Sequence, residues 1–358
     1  MTTKRRIDQL PDMVQALAAA DRELFDRLFR VSVSEGRLRA TESMRGWLAD
    51  RFGGAGEVER QTVVRVTNRW TLEEAVFNPL RARRPRPAAV EPPPADGGPL
   101  SKPLEMTPED TFGRIEGKHC LTAANVAKAE AWHGLIIFRE PDPLAFSRES
   151  VLDCLETARR WWQAAHDADA EAVYPLLFWN CGAAAGASLG HAHAQVLLAR
   201  SRHFGGVERL RSAAEEYRAR HGSDYFRDLV RAHAALGCAS TLEGAAVLAS
   251  LTPAKEREIV IIAPSIEEGL GEALYAALAC YRDRLSIVSF NVALFGPPLA
   301  ATEEDWQRFP FVARVVERGG GGGLASDIGA MELFASAVVS HDPFDLAVEL
   351  ASAPGVGR

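Results

Sequence analysis

The stretch Asn180-Cys181-Gly182-Ala183-Ala184-Ala185-Gly186-Ala187-Ser188-Leu189-Gly190-His191-Ala192-His193-Ala194-Gln195 decides the reading of this chain. It follows an apolar run, Val173-Tyr174-Pro175-Leu176-Leu177-Phe178-Trp179, and leads into another, Val196-Leu197-Leu198-Ala199. Two strands are therefore expected on either side of a loop of small residues, the second opening at His191. At the two-residue period of a strand, His191, His193 and Gln195 point to one face and the intervening alanines to the other.

That layout suits chemistry on a phosphate. Gly182, Gly186 and the alanines between them leave backbone N–H groups accessible as an anion-binding nest. Ser188 adds a hydroxyl, and Gln195 offers an amide donor that takes up no proton at neutral pH. A neutral imidazole in the row is a competent covalent nucleophile near pH 7. A His-x-His pair by itself also matches two metal ligands on a strand.

The whole pattern, Asn-x-Gly-x3-Gly-x-Ser-x2-His-x-His-x-Gln, resembles the active-site signature of the histidine-triad superfamily. More narrowly it resembles the transferase branch, which contains the galactose-1-phosphate uridylyltransferases and the diadenosine tetraphosphate phosphorylases. The resemblance implies His193 as the nucleophile that forms a nucleotidyl-histidine. It implies Gln195 as a phosphate contact, Ser188 and Asn180 as phosphate or leaving-group contacts, and His191 as a neighbouring support. The hydrolase branch carries a third histidine where this chain has Gln195. Glutamine relays no proton to or from water, which favours transfer to an acceptor over hydrolysis.

Composition bounds the alternatives. The 358 residues suffice for one large core or two joined ones. A 47% hydrophobic and 25% charged content is ordinary for a soluble protein. The formal net charge of −7 gives no bulk attraction to nucleic acid or to an anionic membrane. No apolar run approaches the ~20 residues of a membrane span, and the start of the chain has no signal-peptide core. Cys120, Cys154, Cys181, Cys238 and Cys280 form no Cys-x2-Cys pair, so reduced thiols and a cytoplasmic location are expected.

Outward from the motif, residues 7–52 read as helical on Leu10, Met13, Val14, Leu17, Leu24, Leu28, Phe29, Met44, Leu48 and Phe52. Val63, Val64 and Val66 suggest a strand. Arg81, Arg83, Arg84 and Arg86 follow Asn78-Pro79-Leu80 in a segment similar to the N-terminal part of the uridylyltransferases. There Arg81 and Arg84 are candidate phosphate ligands through forked hydrogen bonds, or else members of a solvated basic loop. Residues 85–104 read as an exposed Pro/Gly-rich loop.

Asn125-Val126-Ala127-Lys128, followed by Trp132-His133-Gly134 and an apolar strand, is similar to a second conserved-looking segment of the same superfamily, which makes Asn125 and Lys128 candidate binding residues. His133 reads either as a satisfied histidine at a strand start or as part of the site. Residues 147–166 read as a helix capped by Ser147 or Ser150. Residues 202–235 read as two helices with His203, His221 and His233 at the surface.

A faint echo follows. Residues 258–264 repeat the strand at Leu135–Phe138, residues 285–295 repeat 174–180, and residues 309–318 lie opposite 191–200. In that register Phe309 and Phe311 replace the two histidines and Ala313 the glutamine, both phenylalanines being simplest as core, while Asn291 and Arg314 are secondary candidates to reach a substrate across the repeat. The expected fold is α+β: two histidine-triad-like units of antiparallel sheet with packed helices, the second lacking the catalytic histidines, plus an N-terminal helical extension. The boundaries are 1–60, 61–235 and 236–358. A last strand is expected within 327–340, after a mobile glycine run at 319–323.

Some uridylyltransferases hold a structural zinc with a Cys-x2-Cys pair, which is missing here, so neither a metal nor a cofactor is expected. The implied reaction transfers a nucleoside monophosphate, through His193, to phosphate or a phosphorylated acceptor. The partners are a nucleotide or nucleotide-sugar substrate and a phosphate or sugar-phosphate acceptor, with no nucleic acid and no membrane; the resemblance also allows a homodimer. The alternatives are a hydrolase of the same superfamily and a nucleotide-binding protein without turnover.

Overall fold

The computed structural model describes residues 5–83, 98–319, 336–353 and 355, with the backbone alone at residues 82 and 83. Arg84, Arg86, most of the glycine run at 319–323 and residues 327–335 lie outside the described residues.

The described strands are β1 (Phe29–Arg37), β2 (Arg60–Asn68), β3 (Glu74–Phe77), β4 (Cys120–Ala124), β5 (Trp132–Phe138), β6 (Ala172–Cys181) and β7 (His193–Arg200). They continue with β8 (Ala239–Leu242), β9 (Ala245–Ala249), β10 (Ile259–Ala263), β11 (Phe290–Phe295), β12 (Phe311–Glu317) and β13 (Ser336–Val339). The helices are α1 (Leu10–Gln15), α2 (Ala19–Leu28), α3 (Arg45–Phe52), α4 (Ala55–Glu59), α5 (Pro103–Met106), α6 (Arg148–Ala168), α7 (Gly205–His221), α8 (Tyr225–Ala235), α9 (Leu270–Ala279) and α10 (Pro343–Leu350).

Nine strands form one antiparallel sheet in the order β4-β5-β7-β6-β11-β12-β10-β9-β8. A second sheet runs β1-β2-β3-β13, with β13 parallel to β3. The architecture is α+β, antiparallel sheet with packed helices, as the sequence led us to expect.

The helical reading of residues 7–52 is overturned in its middle. Residues 29–37 are a strand that pairs along its whole length with β2. The alternation Phe29, Val31, Val33 has the strand period, and β-branched residues favour it. β1 also joins the segment before residue 60 to the sheet after it. In the later expected strand at 285–295, pairing begins only at Phe290.

Directly opposed residues of an antiparallel sheet share a face. Gln195 lies opposite Leu135 on β5 and Phe178 on β6, and Phe178 lies opposite Ala293 on β11. His133, Ile137, His193, Asn180 and Asn291 fall on that same face by the two-residue period. The other face carries Gly134, Ala194 and Val196 and packs against α6.

Ser147 starts α6: its hydroxyl accepts from the Ser150 N–H, and Ser150 Oγ accepts from the Ser147 N–H. Trp161 and Trp162 are fully buried from this helix. A Cβ at Gly134 would sit 2.9 Å from the Trp161 ring, and Trp162 Nε1–H donates to the Leu197 carbonyl at 2.9 Å. In the second half of the sheet, α8 covers the face that remains open around Gln195: Phe226, Leu229 and His233 line a cavity together with Val260, Ile262, Val312 and Arg314.

Candidate active site

The site lies where β6 ends and β7 begins. β6 carries Asn180 into a tight turn at Ala183–Ala185, and the chain returns through Ser188 to His193. Gly182 and Gly186 have φ of +85° and +87°, the left-handed region that favours glycine. Gly182 has a second constraint: a Cβ there would lie 2.9 Å from Ser289 Oγ, which donates to the Cys181 carbonyl at 3.0 Å.

Three of the loop N–H groups are turned inward and are not open as a nest. Those of Ala185 and Ala187 donate to the Gly182 carbonyl at 3.1 and 3.3 Å, and that of Gly186 to the Ala183 carbonyl at 3.0 Å. They are spent on closing the turn, because four small residues in succession are tight enough to bond to themselves. Ser188 is exposed, and its hydroxyl has no partner among the described residues.

The strand expected to open at His191 opens two residues later, at His193. His191 stays in the approach to it, where its Nε2–H donates to the Phe138 carbonyl at 2.9 Å and its buried Nδ1 has no partner among the described residues. The backbone carbonyl of His191 is what reaches the neighbouring ring: His193 Nδ1–H donates to it at 2.8 Å. A carbonyl only accepts, so in the neutral ring Nδ1 carries the proton and Nε2 keeps its lone pair. Nε2 makes no hydrogen bond to any described residue. Burial is the main influence on this ring and lowers its pKa from 6.5, as the nearby His191 also does; the carbonyl bond opposes them.

Gln195 is held from β5. Its Oε1 accepts from His133 Nε2–H at 2.9 Å and from Asn125 Nδ2–H at 3.3 Å. Asn125 Oδ1 accepts from the Ala127 N–H at 3.0 Å. Lys128 lies one step further out, with Nζ 3.0 Å from the His133 carbonyl and 3.6 Å from Asp110. Across the centre of the sheet, Asn291 Nδ2 donates to Asn180 Oδ1 at 2.7 Å and to the Ala185 carbonyl at 2.8 Å. Asn291 thus ties the end of β6 to the turn.

The fold therefore gathers His193, Gln195, Asn180, Gly182, Gly186 and Ser188 at one sheet end, with His191, Asn125 and Lys128 around them. Arg81 is partly exposed at the end of β3 and Arg84 lies outside the described residues. His133 and Asn291 carry contacts whose partners depend on strand register, which the sequence pattern alone did not supply. Arg314 does not reach the site as a free cation. It is ion-paired with Glu258 at 2.6 Å and with Glu73, and lies beside α8. Two histidines expected at the surface are buried, His203 among Tyr174, Phe295 and Trp306, and His233 beneath α8. Phe309 is buried and Phe311 packs against the core, as expected, but the expected register does not hold: Ala313 pairs through Leu294 and Leu177 to Val196, so Phe311 and Ala313 lie on the face opposite His193 and Gln195, whose face on β12 carries Val312 and Arg314. Among the described residues no group of three or more His, Cys, Asp or Glu side chains is placed to hold a metal ion.

No family model and no curated protein matches this sequence. Solved structures do. An ADP-glucose phosphorylase from Arabidopsis thaliana with bound ADP-glucose superposes with a TM-score of 0.64 at 16% identity, over 80% of this chain and 98% of that one. A uridylyltransferase structure gives 0.58 at 16%, over 80% and 97%. A GalT-like protein from Arabidopsis thaliana gives 0.57 at 17%, over 78% and 95%. The chain therefore carries the fold that these phosphorylase and uridylyltransferase structures share.

Proposed function

We propose that the protein is a nucleotidyltransferase of the phosphorylase or uridylyltransferase kind, working through a covalent nucleotidyl-histidine at His193. The observation that carries this reading is the state of the His193 ring. Its proton is held on Nδ1 by the His191 carbonyl, 2.8 Å away, and its Nε2 lone pair is unspent.

In the first displacement, Nε2 attacks the α-phosphorus of a nucleotide or nucleotide sugar and a phosphorylated leaving group departs with the bonding pair. The ring then carries positive charge, and the Nδ1–H bond to the carbonyl becomes charge-assisted. The amide N–H groups of Gln195 and Asn180 and the hydroxyl of Ser188 are the donors placed to meet the phosphate oxygens as negative charge builds. In the second displacement, a phosphate or sugar-phosphate oxygen attacks the same phosphorus and frees His193. Splitting the transfer this way is covalent catalysis and gives ping-pong kinetics. No side chain at position 195 hands a proton to water, which favours these acceptors over hydrolysis.

The nine-stranded sheet also supports a two-unit reading, the second unit chemically silent and running from about residue 236. The order β4-β5-β7-β6 on one side of the central β6–β11 pair is matched by β9-β10-β12-β11 on the other. On β12 the face shared with His193 and Gln195 carries Val312 and Arg314 and no histidine, and α8 covers it. The buried free thiols accord with a reducing, cytoplasmic setting.

Isotope exchange tests the two-step scheme. One structural neighbour holds ADP-glucose, so the first pair to try is ADP-glucose with labelled glucose 1-phosphate, followed by other nucleotide sugars with their own sugar phosphates. Label entering the nucleotide sugar with no second acceptor present is expected; transfer only when both acceptor and donor are bound would oppose the covalent route.

A further inference from the structure

We propose that His133 is a positioning residue that decides which end of the Gln195 amide faces the reacting phosphate. The inference rests on Gln195 being a phosphate contact, and deepens that reading by naming what aims it.

The protons in this cluster follow from backbone groups whose roles cannot be exchanged. The Ala129 N–H donates to His133 Nδ1 at 3.0 Å, so Nδ1 must be bare. Burial is the largest influence on His133 and lowers its pKa from 6.5; Lys128 acts in the same direction, and Gln195 and Asp110 oppose them. The ring is therefore neutral near pH 7 with its single proton on Nε2. The Ala127 N–H donates to Asn125 Oδ1 at 3.0 Å, so the other end of that amide must be the NH₂ group. Two donors, His133 Nε2–H and Asn125 Nδ2–H, thus converge on one atom of Gln195, at 2.9 and 3.3 Å. That atom must be the oxygen. A flipped Gln195 would set its NH₂ group against both of them, and buried donors facing donors are strongly disfavoured.

With Oε1 fixed toward β5, the NH₂ group of Gln195 is turned away from the cluster and left to donate. An oxygen aimed at a phosphate would repel it, so the choice between the two orientations decides whether position 195 stabilises or opposes the developing charge. Asn125 Nδ2 also lies 3.0 Å from His133 Nε2, a contact between two donors that is offset by their sharing Oε1 as acceptor. His133 makes the shorter of the two bonds to Oε1 and is buried, with 3% exposure. Lys128 bonds to the His133 carbonyl and to Asp110, and so steadies the segment that carries the ring.

Two measurements on the full-length protein test this. Long-range nitrogen–proton correlation spectra of the histidine rings read the tautomer without turnover. We expect His133 to show a protonated Nε2 and a bare Nδ1 at pH 7; a proton on Nδ1 would overturn the proposal whatever the enzyme does. The second is a double-mutant cycle on the single-turnover rate of nucleotidyl-histidine formation. His133→Leu is expected to slow that step about 10- to 100-fold, the range for residues that orient a contacting group. His133→Gln, which keeps an N–H donor, should recover most of the loss. In a Gln195→Ala background, His133→Leu should cost nothing further. Equal losses in both backgrounds would assign His133 a general structural role and overturn the proposal. If no nucleotide forms an adduct with the unmutated protein, the proposed reaction fails, and the tautomer alone decides the assignment of His133.

Discussion

His193 can attack only as a neutral imidazole. Burial lowers its pKa below the ordinary 6.5, so the neutral ring dominates at every pH above that value and is lost only on further acidification. The single-turnover rate of adduct formation should therefore be flat from pH 8 down to about 6.5 and fall below it. A rate that declines steadily from pH 8 would show a raised pKa and contradict the environment described. Gly182 gives a second residue-scale prediction. Its positive φ and the 2.9 Å approach of Ser289 Oγ to a would-be Cβ make Gly182→Ala unfavourable twice over. Backbone strain of this kind costs about 1–3 kcal/mol, readable as a lowered denaturant midpoint. At this scale the sequence marked His193, Gln195, Asn180 and Ser188 by spacing alone. It left His133 open between a strand-start histidine and a site residue and gave Asn291 only a reach across the repeat, because what they do depends on strands 62 and 111 residues away in the chain lying alongside.

The motif is rigid because of the elements under it. α6 supports β5 and β7 from the opposite face, through Trp161 at Gly134 and Trp162 at the Leu197 carbonyl. Ser147 caps that helix. Ser147→Ala should lower stability by about 1 kcal/mol, measured by chemical denaturation, and leave adduct formation unchanged. The strands flanking the motif were legible as apolar runs, and the capped helix as a stripe closing on two tryptophans. β1 was not. It follows Leu24 and Leu28 at helical spacing, and most of its residues are exposed or half-exposed, so no buried face writes its period into the residue types. The depth of His233 did have a signal. It lies seven residues after Phe226 and four after Leu229, which is one helical face, but the arginines and aspartate between them drew attention to the other.

Across the whole molecule, two buried histidines and one partly exposed carboxylate predict acid sensitivity. Burial pushes His203 and His233 down to about 4. Such histidines are neutral when folded and take up protons on unfolding, so their contribution is fully present above about pH 6.5 and is lost as pH falls toward 4. Each shift corresponds to roughly 3 kcal/mol. Glu256 adds in the same direction. Its bonds to His341 and Ser340 outweigh burial and hold it at about 2, so its contribution fades as pH falls below the ordinary carboxylate range. The melting temperature should drop steeply between pH 6.5 and 4, and His203→Phe should flatten the upper part of that fall. A pH-independent melting temperature across this range would contradict the burial of these rings.

The two halves of the large sheet meet at β6 and β11, and Asn291 from one half ties Asn180 to the turn in the other. The site is thus a product of the whole sheet, yet its chemistry converges on one atom, His193 Nε2. Intact mass tests that most directly. The protein is incubated without acceptor against ADP-glucose, diadenosine tetraphosphate, and GDP- and UDP-sugars, at neutral or mildly alkaline pH because a P–N bond is acid-labile. His193→Ala is carried beside it. The account predicts a gain of one nucleoside monophosphate that the variant lacks, and the mass names the base. Tight binding of a nucleotide with no mass gain, or a gain that persists in His193→Ala, would contradict it.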